Sequence, residues 1–291
     1  MKRSEIFIRD PFILLHEDKY YMYGTRSLTA WKKPEELSSL GFDVYMSDDL
    51  VEWSEPIEVF KRPEAFWSDM NFWAPEVHVY KEKFYMFATF NKEGQNKGTQ
   101  ILIADAPTGP FSLHSDGPLT PREWPCLDGT LYVDENNTPY MIFCREWIMD
   151  GKGSICVIQL TDDLRDTVGE PVTILEAVEA EWHPADTTRF VTDGPFMHRT
   201  KNGTLLMIWS SLKGQDYVEA IAESTTGSIF GPWIHQEELL FSEDGGHGML
   251  FHDKEGELVF TMHKPNISYG ENPYFILVEE EENTLKLGKD I

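Results

Sequence analysis

The chain has 291 residues, of which 41% are hydrophobic and 26% are charged, as expected for a folded globular protein. Aspartate and glutamate together number 50 and lysine and arginine 25, so the formal net charge is −25 at pH 7. This acidity argues against a nucleic acid or an anionic membrane as a partner, because both bind basic surfaces.

Strand-like runs dominate the chain and come in pairs that are separated by short turns. The stretch that most favours a helix, 33–40, is short and lies between strand-like runs. Turn signals such as Glu17-Asp18 and Asn202-Gly203 stand between the two runs of a pair. Five hairpins are predicted in chain order, namely 12–15 with 19–23, 77–80 with 83–88, 130–133 with 138–143, 196–199 with 204–210, and 249–251 with 257–262.

The hairpins recur at a nearly regular spacing along the whole chain. Segments outside them repeat as well, since Gly109-Pro110-Phe111 matches Gly231-Pro232-Trp233. Repeats of about 50 residues made of strands are typical of β-propellers, which have four strands per blade around a central channel. We therefore predict an all-β fold, a single five-bladed β-propeller domain over residues 1–291. The predicted hairpins open at Asp10, Glu76, Asp128, Asp193 and His247.

The three cysteines, Cys126, Cys144 and Cys156, are odd in number and lack the paired spacing of a metal site. They are typical of reduced thiols in a cytosolic protein. The chain as given shows neither an export signal nor an apolar run of about 18 residues. From these features we expect a cytoplasmic location.

Acidic residues recur where the hairpins open. The innermost strand of each blade lines the channel of a propeller, so these residues are expected to face one shared cavity. A carboxylate at a buried position is costly unless it is paired or functional. One such aspartate could simply cap a turn, but the recurrence of Asp10, Asp128 and Asp193 at matching positions favours a functional cluster.

Five short motifs stand at these openings, namely Arg9-Asp10-Pro11-Phe12-Ile13, Trp73-Ala74-Pro75-Glu76-Val77, Asp128-Gly129-Thr130, Asp193-Gly194-Pro195-Phe196 and Gly246-His247-Gly248. Together they resemble glycoside hydrolase family 43, and the resemblance extends from residue 8 to about residue 278. The resemblance implies a five-bladed propeller that releases or cleaves pentosyl units with inversion of configuration. It also implies an oligosaccharide substrate.

The resemblance implies catalytic roles for three carboxylates. Inverting hydrolysis needs a base that activates water and an acid about 6.5–9.5 Å away that protonates the leaving oxygen. By similarity, Asp10 is the base, Asp128 raises the pKa of the acid and orients it, and Asp193 is the acid. The family usually has glutamate at the last position, and aspartate is shorter by about 1.5 Å. Glu146 is therefore kept as an alternative proton donor.

Aromatic and polar residues near the motifs are candidates for binding the sugar. Trp73 resembles the family's aromatic residue beside the sugar pocket, and an indole face suits the apolar face of a sugar ring. Further candidates for substrate contacts are Glu76, Arg145, Trp147, Trp182 and His263.

His247 resembles a family histidine that lies on the propeller axis and approaches a bound cation, commonly calcium, through water. Calcium prefers oxygen ligands, so a hydrogen-bonded structural histidine is the alternative. We expect any calcium at the axis to be structural, and we expect no cofactor to be required for the chemistry.

Taken together, these features predict an inverting, exo-acting glycosidase that releases α-L-arabinofuranosyl or β-xylosyl units from short oligosaccharides. An endo-arabinanase of the same fold is one alternative, and it differs by an open groove in place of a blind pocket. A propeller that binds glycans without catalysis is the other, and aspartate at position 193 keeps it open. The sequence does not indicate an oligomeric state.

Overall fold

The computed structural model describes residues 1–27 and 40–291 of the chain, and these form the predicted five-bladed β-propeller. Each blade is an antiparallel sheet of four strands that follow one another in the sequence, from the channel outwards. The stretch 33–40, which most favours a helix in the sequence, lies outside the described residues except for Leu40. Within the described ranges, no helix has the length and apolar character needed to cross a membrane.

The strands are listed here blade by blade. Blade 1 contains β1 (Ile8–His16), β2 (Lys19–Arg26), β3 (Gly41–Ser47) and β4 (Ile57–Lys61). Blade 2 contains β5 (Met70–Tyr80), β6 (Lys83–Asn91), β7 (Gly98–Ala104) and β8 (Ser112–Leu113). Blade 3 contains β9 (Cys126–Val133), β10 (Pro139–Arg145), β11 (Ser154–Leu160) and β12 (Thr167–Glu176). Blade 4 contains β13 (Asp193–Arg199), β14 (Leu205–Lys213), β15 (Asp216–Ser224) and β16 (Trp233–His235). Blade 5 contains β17 (Gly246–His252), β18 (Leu258–Lys264), β19 (Asn272–Glu281) and β20 (Thr284–Asp290), and short 3-10 helices occupy Arg3–Glu5 and Ala177–Glu179.

The second strand of a blade is buried on both faces, because neighbouring blades pack against both sides of the sheet. Residues 84–90 of β6 and 205–211 of β14 are accordingly buried without interruption. Such strands appear in the sequence as continuous apolar runs, whereas a sheet with one solvated face shows alternation. This is why the inner hairpins could be predicted.

The ring closes between blade 1 and blade 5 without any exchange of strands. The backbone N–H of Ile8 donates to the carbonyl of Glu271 (3.2 Å), and the Asn272 side chain donates to the carbonyl of Ile6 (2.8 Å). Arg9 Nη1 lies 2.5 Å from Oε1 of Glu271, whose side chain is fully buried. The closure therefore holds Arg9 next to the catalytic candidate Asp10.

Each innermost strand is irregular near its first residues. At this point each strand has a residue with positive φ, namely Asp10 (53°), Ala74 (44°), Asp128 (54°), Gly194 (49°) and His247 (53°), and β5 has a second one at Asn71 (51°). The pairing register of all five inner strands shifts there. A β-bulge of this kind bends the strand and redirects its side chains.

The bulges correct the predicted equivalence of the five openings. Glu76 lies two residues beyond the left-handed position of its blade, which is Ala74, and Asp193 lies one residue before Gly194. The comparison of the five openings in the sequence could not show these shifts. They matter because a shift of one residue in a strand moves a side chain to the opposite face. Asp10, Asp128 and His247 do occupy equivalent positions.

Candidate active site

A pocket of about 220 Å³ lies on the propeller axis, at the end where the inner strands begin. All four predicted catalytic carboxylates line it, together with three of the other predicted residues. Its lining consists of Arg9, Asp10, Trp73, Lys97, Leu127, Asp128, Glu146, Trp147, Val191, Thr192, Asp193, Tyr217 and His247.

Asp10 is buried and held by three contacts. Thr25 Oγ1 donates to its Oδ2 (2.5 Å), its backbone N–H donates to His263 Nδ1 (3.2 Å), and its Oδ1 lies 3.2 Å from His247 Nδ1. Burial opposes ionisation, but the charges of His247 and Arg9 and the Thr25 hydroxyl outweigh it and lower the Asp10 pKa. Asp10 is therefore a carboxylate at neutral pH and can accept a proton from water.

Asp128 and Asp193 have the opposite electrostatic character. Burial, reinforced by the charges of Asp193 and Asp10, raises the pKa of Asp128 to about 8. Burial, with the charges of Glu146 and Asp10, also raises the Asp193 pKa. Because the pKa of Asp128 is about 8 and the Asp193 charge contributes to it, the two carboxyls together retain a proton near neutral pH. The pocket thus combines a proton acceptor with a proton donor.

Backbone and side-chain hydrogen bonds fix this pair. The backbone N–H of Gly194 donates to Asp128 Oδ2 (3.2 Å), and the Tyr217 hydroxyl donates to Asp193 Oδ2 (3.0 Å). Position 194 requires glycine, because its φ is positive and a Cβ there would lie 2.6 Å from His247 Cδ2. Blade 4 therefore carries its carboxylate immediately before the bulge.

His247 lies between two of the carboxylates, with Nδ1 at 3.2 Å from Asp10 Oδ1 and 3.7 Å from Asp128 Oδ2. Burial alone would lower its pKa, but the charges of Asp10, Asp128 and other carboxylates raise it to about 9. Among the residues that the structure describes, no three His, Cys, Asp or Glu side chains are arranged to hold a metal ion. A calcium ion near His247 would need water and backbone oxygen ligands, and it stays a prediction.

Glu146 is engaged in an ion pair at the rim of the pocket. Lys97 Nζ lies 2.8 Å from its Oε1 and also lies over the Trp73 ring, 5.1 Å from the ring centroid. The Lys97 ammonium therefore occupies one of the two carboxylate oxygens of Glu146. Trp147, the next residue, also faces the pocket.

Comparison with known proteins identifies the family of the chain. The model of the family described as glycosyl hydrolases family 43 matches residues 4–279. The chain belongs to this family. It is thus a glycoside hydrolase, and this argues against the alternative of a glycan-binding propeller without catalysis.

Three relatives illustrate the relationship. The crystal structure of an endo-arabinase from Bacteroides thetaiotaomicron is 35% identical, covers 98% of each chain and has a TM-score of 0.87. An extracellular endo-α-(1→5)-L-arabinanase of Bacillus subtilis is 22% identical over 84% of this chain and 72% of its own length. An extracellular exo-α-(1→5)-L-arabinofuranosidase of Cellvibrio japonicus is 22% identical over 55% of this chain and 46% of its own length.

These relatives contradict the predicted cytoplasmic location, because both curated ones are named as extracellular proteins. The expectation was wrong in part because it used the cysteines as an indicator of compartment. Cys126, Cys144 and Cys156 are free and buried in the family 43 propeller. Buried thiols are protected from oxidation, so they do not report on the compartment.

Two predicted sugar-binding residues lie outside the pocket. Trp182 is only 9% exposed and packs against His183 and Trp209 in the core between blades 3 and 4. Arg145 donates to Asp150 Oδ2 (2.8 Å) and Ser154 Oγ (3.0 Å). Proximity in sequence to a motif therefore did not bring these side chains to the site.

Two further predicted residues are buried and do not line the pocket. His263 is fully buried, accepts the Asp10 backbone N–H and stacks on Tyr217 with ring centroids 5.5 Å apart. Burial and the Arg9 charge lower its pKa to about 3, so it is neutral. Glu76 Oε2 lies 3.1 Å from His78 Nε2. Neither residue lines the pocket, and His263 supports Asp10 from the protein interior.

Sequence reasoning missed Tyr217, Lys97 and Thr25. Tyr217 stands on the third strand of blade 4, Lys97 precedes the third strand of blade 2, and Thr25 stands on the second strand of blade 1. None is part of a motif at an inner-strand opening, where the search concentrated. Thr25 and Tyr217 reach Asp10 and Asp193 from other strands of the same blade, whereas Lys97 reaches Glu146 from the neighbouring blade.

Proposed function

We propose that this family 43 glycosidase hydrolyses α-L-arabinofuranosyl linkages of arabinan chains with inversion of configuration. The pairing of ionised Asp10 with a protonated Asp128–Asp193 pair in one pocket carries the proposal. The arabinan-directed names of the relatives support this substrate over a xyloside. The extracellular names of the two curated relatives support action outside the cytoplasm.

In the proposed reaction, Asp10 removes a proton from water as the water oxygen attacks the anomeric carbon. The bond from this carbon to the leaving oxygen breaks on the other side of the sugar ring, and Asp193 gives its proton to that oxygen. Blades 1 and 4, which carry these two residues, are not neighbours in the ring. No step requires a metal ion.

Asp128 has the role of a positioning residue in this proposal. Its Oδ2 accepts the Gly194 N–H, so it fixes the backbone next to Asp193, and its proximity disfavours a second negative charge there. Asp193 is preferred to Glu146 as the acid because the Lys97 ammonium engages Glu146. The Tyr217 hydroxyl orients the shorter aspartate.

The test compares wild type and Asp10→Asn on linear α-1,5-arabinan, its oligosaccharides and the nitrophenyl glycosides of α-L-arabinofuranose and β-D-xylose. We expect the wild type to prefer the arabinosyl substrates. Asp10→Asn should lose at least about 100-fold in rate, because asparagine cannot accept the proton from water. Preference for the xyloside, or an Asp10→Asn variant with more than about a tenth of the wild-type rate, would overturn the proposal.

The same digests address endo against exo action. An endo enzyme releases a ladder of oligosaccharides from arabinan at early times, whereas an exo enzyme releases one product size throughout. The endo-acting candidate is favoured by the 35% identical endo-arabinase, which covers 98% of this chain.

A further inference from the structure

We infer that a second pocket, on blade 2 beside the active site, binds a sugar unit of the bound arabinan. This sugar unit belongs to the same arabinan molecule that is cleaved, but it lies at a distance from the bond that is cleaved. This inference rests on the proposed function, and it specifies the substrate as a chain of several sugar units. The second pocket has a volume of about 370 Å³. Its principal lining residues are Trp67, Gln95, Asn96, Lys97, Pro118 and Arg122.

The two pockets are adjacent because Lys97 lines both of them. In the first pocket, its ammonium group contacts Glu146 and the Trp73 ring. The loop that carries Lys97 also forms one wall of the second pocket through Gln95 and Asn96. An arabinan that extends from the first pocket past Lys97 therefore reaches the second pocket directly.

Trp67 gives the second pocket an aromatic surface of fixed orientation. Its Nε1 donates to Gln100 Oε1 (2.6 Å), and its ring packs against Phe66 and Phe90, with centroids 5.9 and 6.5 Å away. The indole is nevertheless only half-buried. A partly exposed indole that is already held in place can take the apolar face of a sugar with little further loss of entropy.

The polar lining suits the hydroxyl groups of a neutral sugar. Within the described ranges, neither the Arg122 guanidinium nor the Gln95 side-chain amide has a hydrogen-bond or ion-pair partner. Glu146 already neutralises the charge of Lys97. One unpaired cation beside amide groups can donate hydrogen bonds to the hydroxyl and ring oxygens of a neutral sugar. A site for an anion would instead have several cationic side chains close together.

The walls of the second pocket are rigid. Asn96 Nδ2 donates to the carbonyl of Arg122 (3.1 Å), and this bond ties the two loops that face each other. The backbone N–H of Cys126 donates to the carbonyl of Lys97 (3.1 Å). A Cβ at Gly98 would lie 2.6 Å from Thr120 Oγ1, so the floor has no space for a side chain. The pocket is therefore formed before a ligand binds.

The test measures kcat/KM for Trp67→Ala and Arg122→Ala on α-1,5-arabino-oligosaccharides of two to six units and on the nitrophenyl arabinofuranoside. We expect the loss to increase with chain length, to about tenfold on the longest chains, mainly through a higher KM. Trp67→Phe retains a flat ring and should recover most of the loss. Arg189→Ala removes an exposed arginine outside both pockets and serves as the matched control.

A loss of kcat/KM that is equal for all oligosaccharide lengths, or no loss in either variant, would overturn the inference that the second pocket binds a sugar unit. Either result would leave the proposal of arabinan hydrolysis in place. The proposed function fails separately, if the wild type does not cleave arabinan. Binding of arabinohexaose to Asp10→Asn, with and without Trp67→Ala, is measured by calorimetry and does not depend on turnover. Equal affinities in that pair would also overturn the second pocket.

Discussion

The hydrogen bond from Tyr217 to Asp193 provides a direct test of the proton donor. The Tyr217 hydroxyl lies 3.0 Å from Asp193 Oδ2, and burial raises its own pKa well above 10, so it remains a donor. A donor to a carboxylate stabilises the charged form and lowers its pKa. Tyr217→Phe removes this donor while keeping the ring that stacks on His263. The change should therefore raise the pKa of the Asp128–Asp193 pair.

The expected size follows from the charge on the acceptor. A hydrogen bond to a charged group contributes about 1.5–3 kcal/mol, and about 1.4 kcal/mol corresponds to one pKa unit. The alkaline limb of the profile of kcat/KM against pH reports the acid in the free enzyme. In Tyr217→Phe we expect this limb to move to higher pH by about one to two units.

The assay is the rate of arabino-oligosaccharide hydrolysis across pH 5 to 10. Tyr23→Phe is the matched control, because Tyr23 is also buried and donates to a backbone carbonyl, that of Pro107 (2.6 Å), outside the pocket. It should leave the profile in place. An alkaline limb that stays fixed in Tyr217→Phe, or moves to lower pH, would refute Asp193 as the titrating donor.

Two further predictions concern the buried carboxylates. Asp193→Ala should slow natural oligosaccharides by about 10²–10⁴-fold and an activated aryl arabinofuranoside far less, because a good leaving group needs little protonation. Glu146→Ala should affect both substrates alike, and the reverse pattern in steady-state rates would make Glu146 the acid. Burial raises the pKa of Glu219 to about 7 against the ordinary 4.5, so the stability it contributes is complete below pH 4.5 and is lost as the pH rises through 7. In the wild type, the free energy of unfolding should therefore decline between pH 5 and 8. Glu219→Gln should make this decline smaller by about 3 kcal/mol, as measured by urea unfolding at each pH. An unchanged decline would contradict the raised pKa.

The fold was predictable because its signals are local. Each inner hairpin combines a buried strand, a turn and a second buried strand, and five repetitions imply five blades. The clustering of Asp10, Asp128, Asp193 and Glu146 followed from the position of these residues near the openings of the strands and from the family motifs.

Other features of the site depend on three-dimensional packing. The bulges place Ala74 and Gly194 at the positions that the sequence assigned to Glu76 and Asp193, and nothing in a linear pattern marks an extra residue in a strand. Tyr217 reaches the site from a different strand, with no motif of its own. The lowered pKa of Asp10 depends on the placement of His247 and Arg9, which only the closed ring determines.

The central claim is that Asp10 and Asp193 act on opposite faces of the sugar, with water beside Asp10. The most direct measurement is proton NMR of the product in the first minutes of hydrolysis of an α-L-arabinofuranosyl oligosaccharide, before the anomers equilibrate. The account predicts that β-L-arabinofuranose is formed first, with inverted configuration. First formation of the α-anomer would mean that a carboxylate attacks the sugar itself, and it would contradict the account.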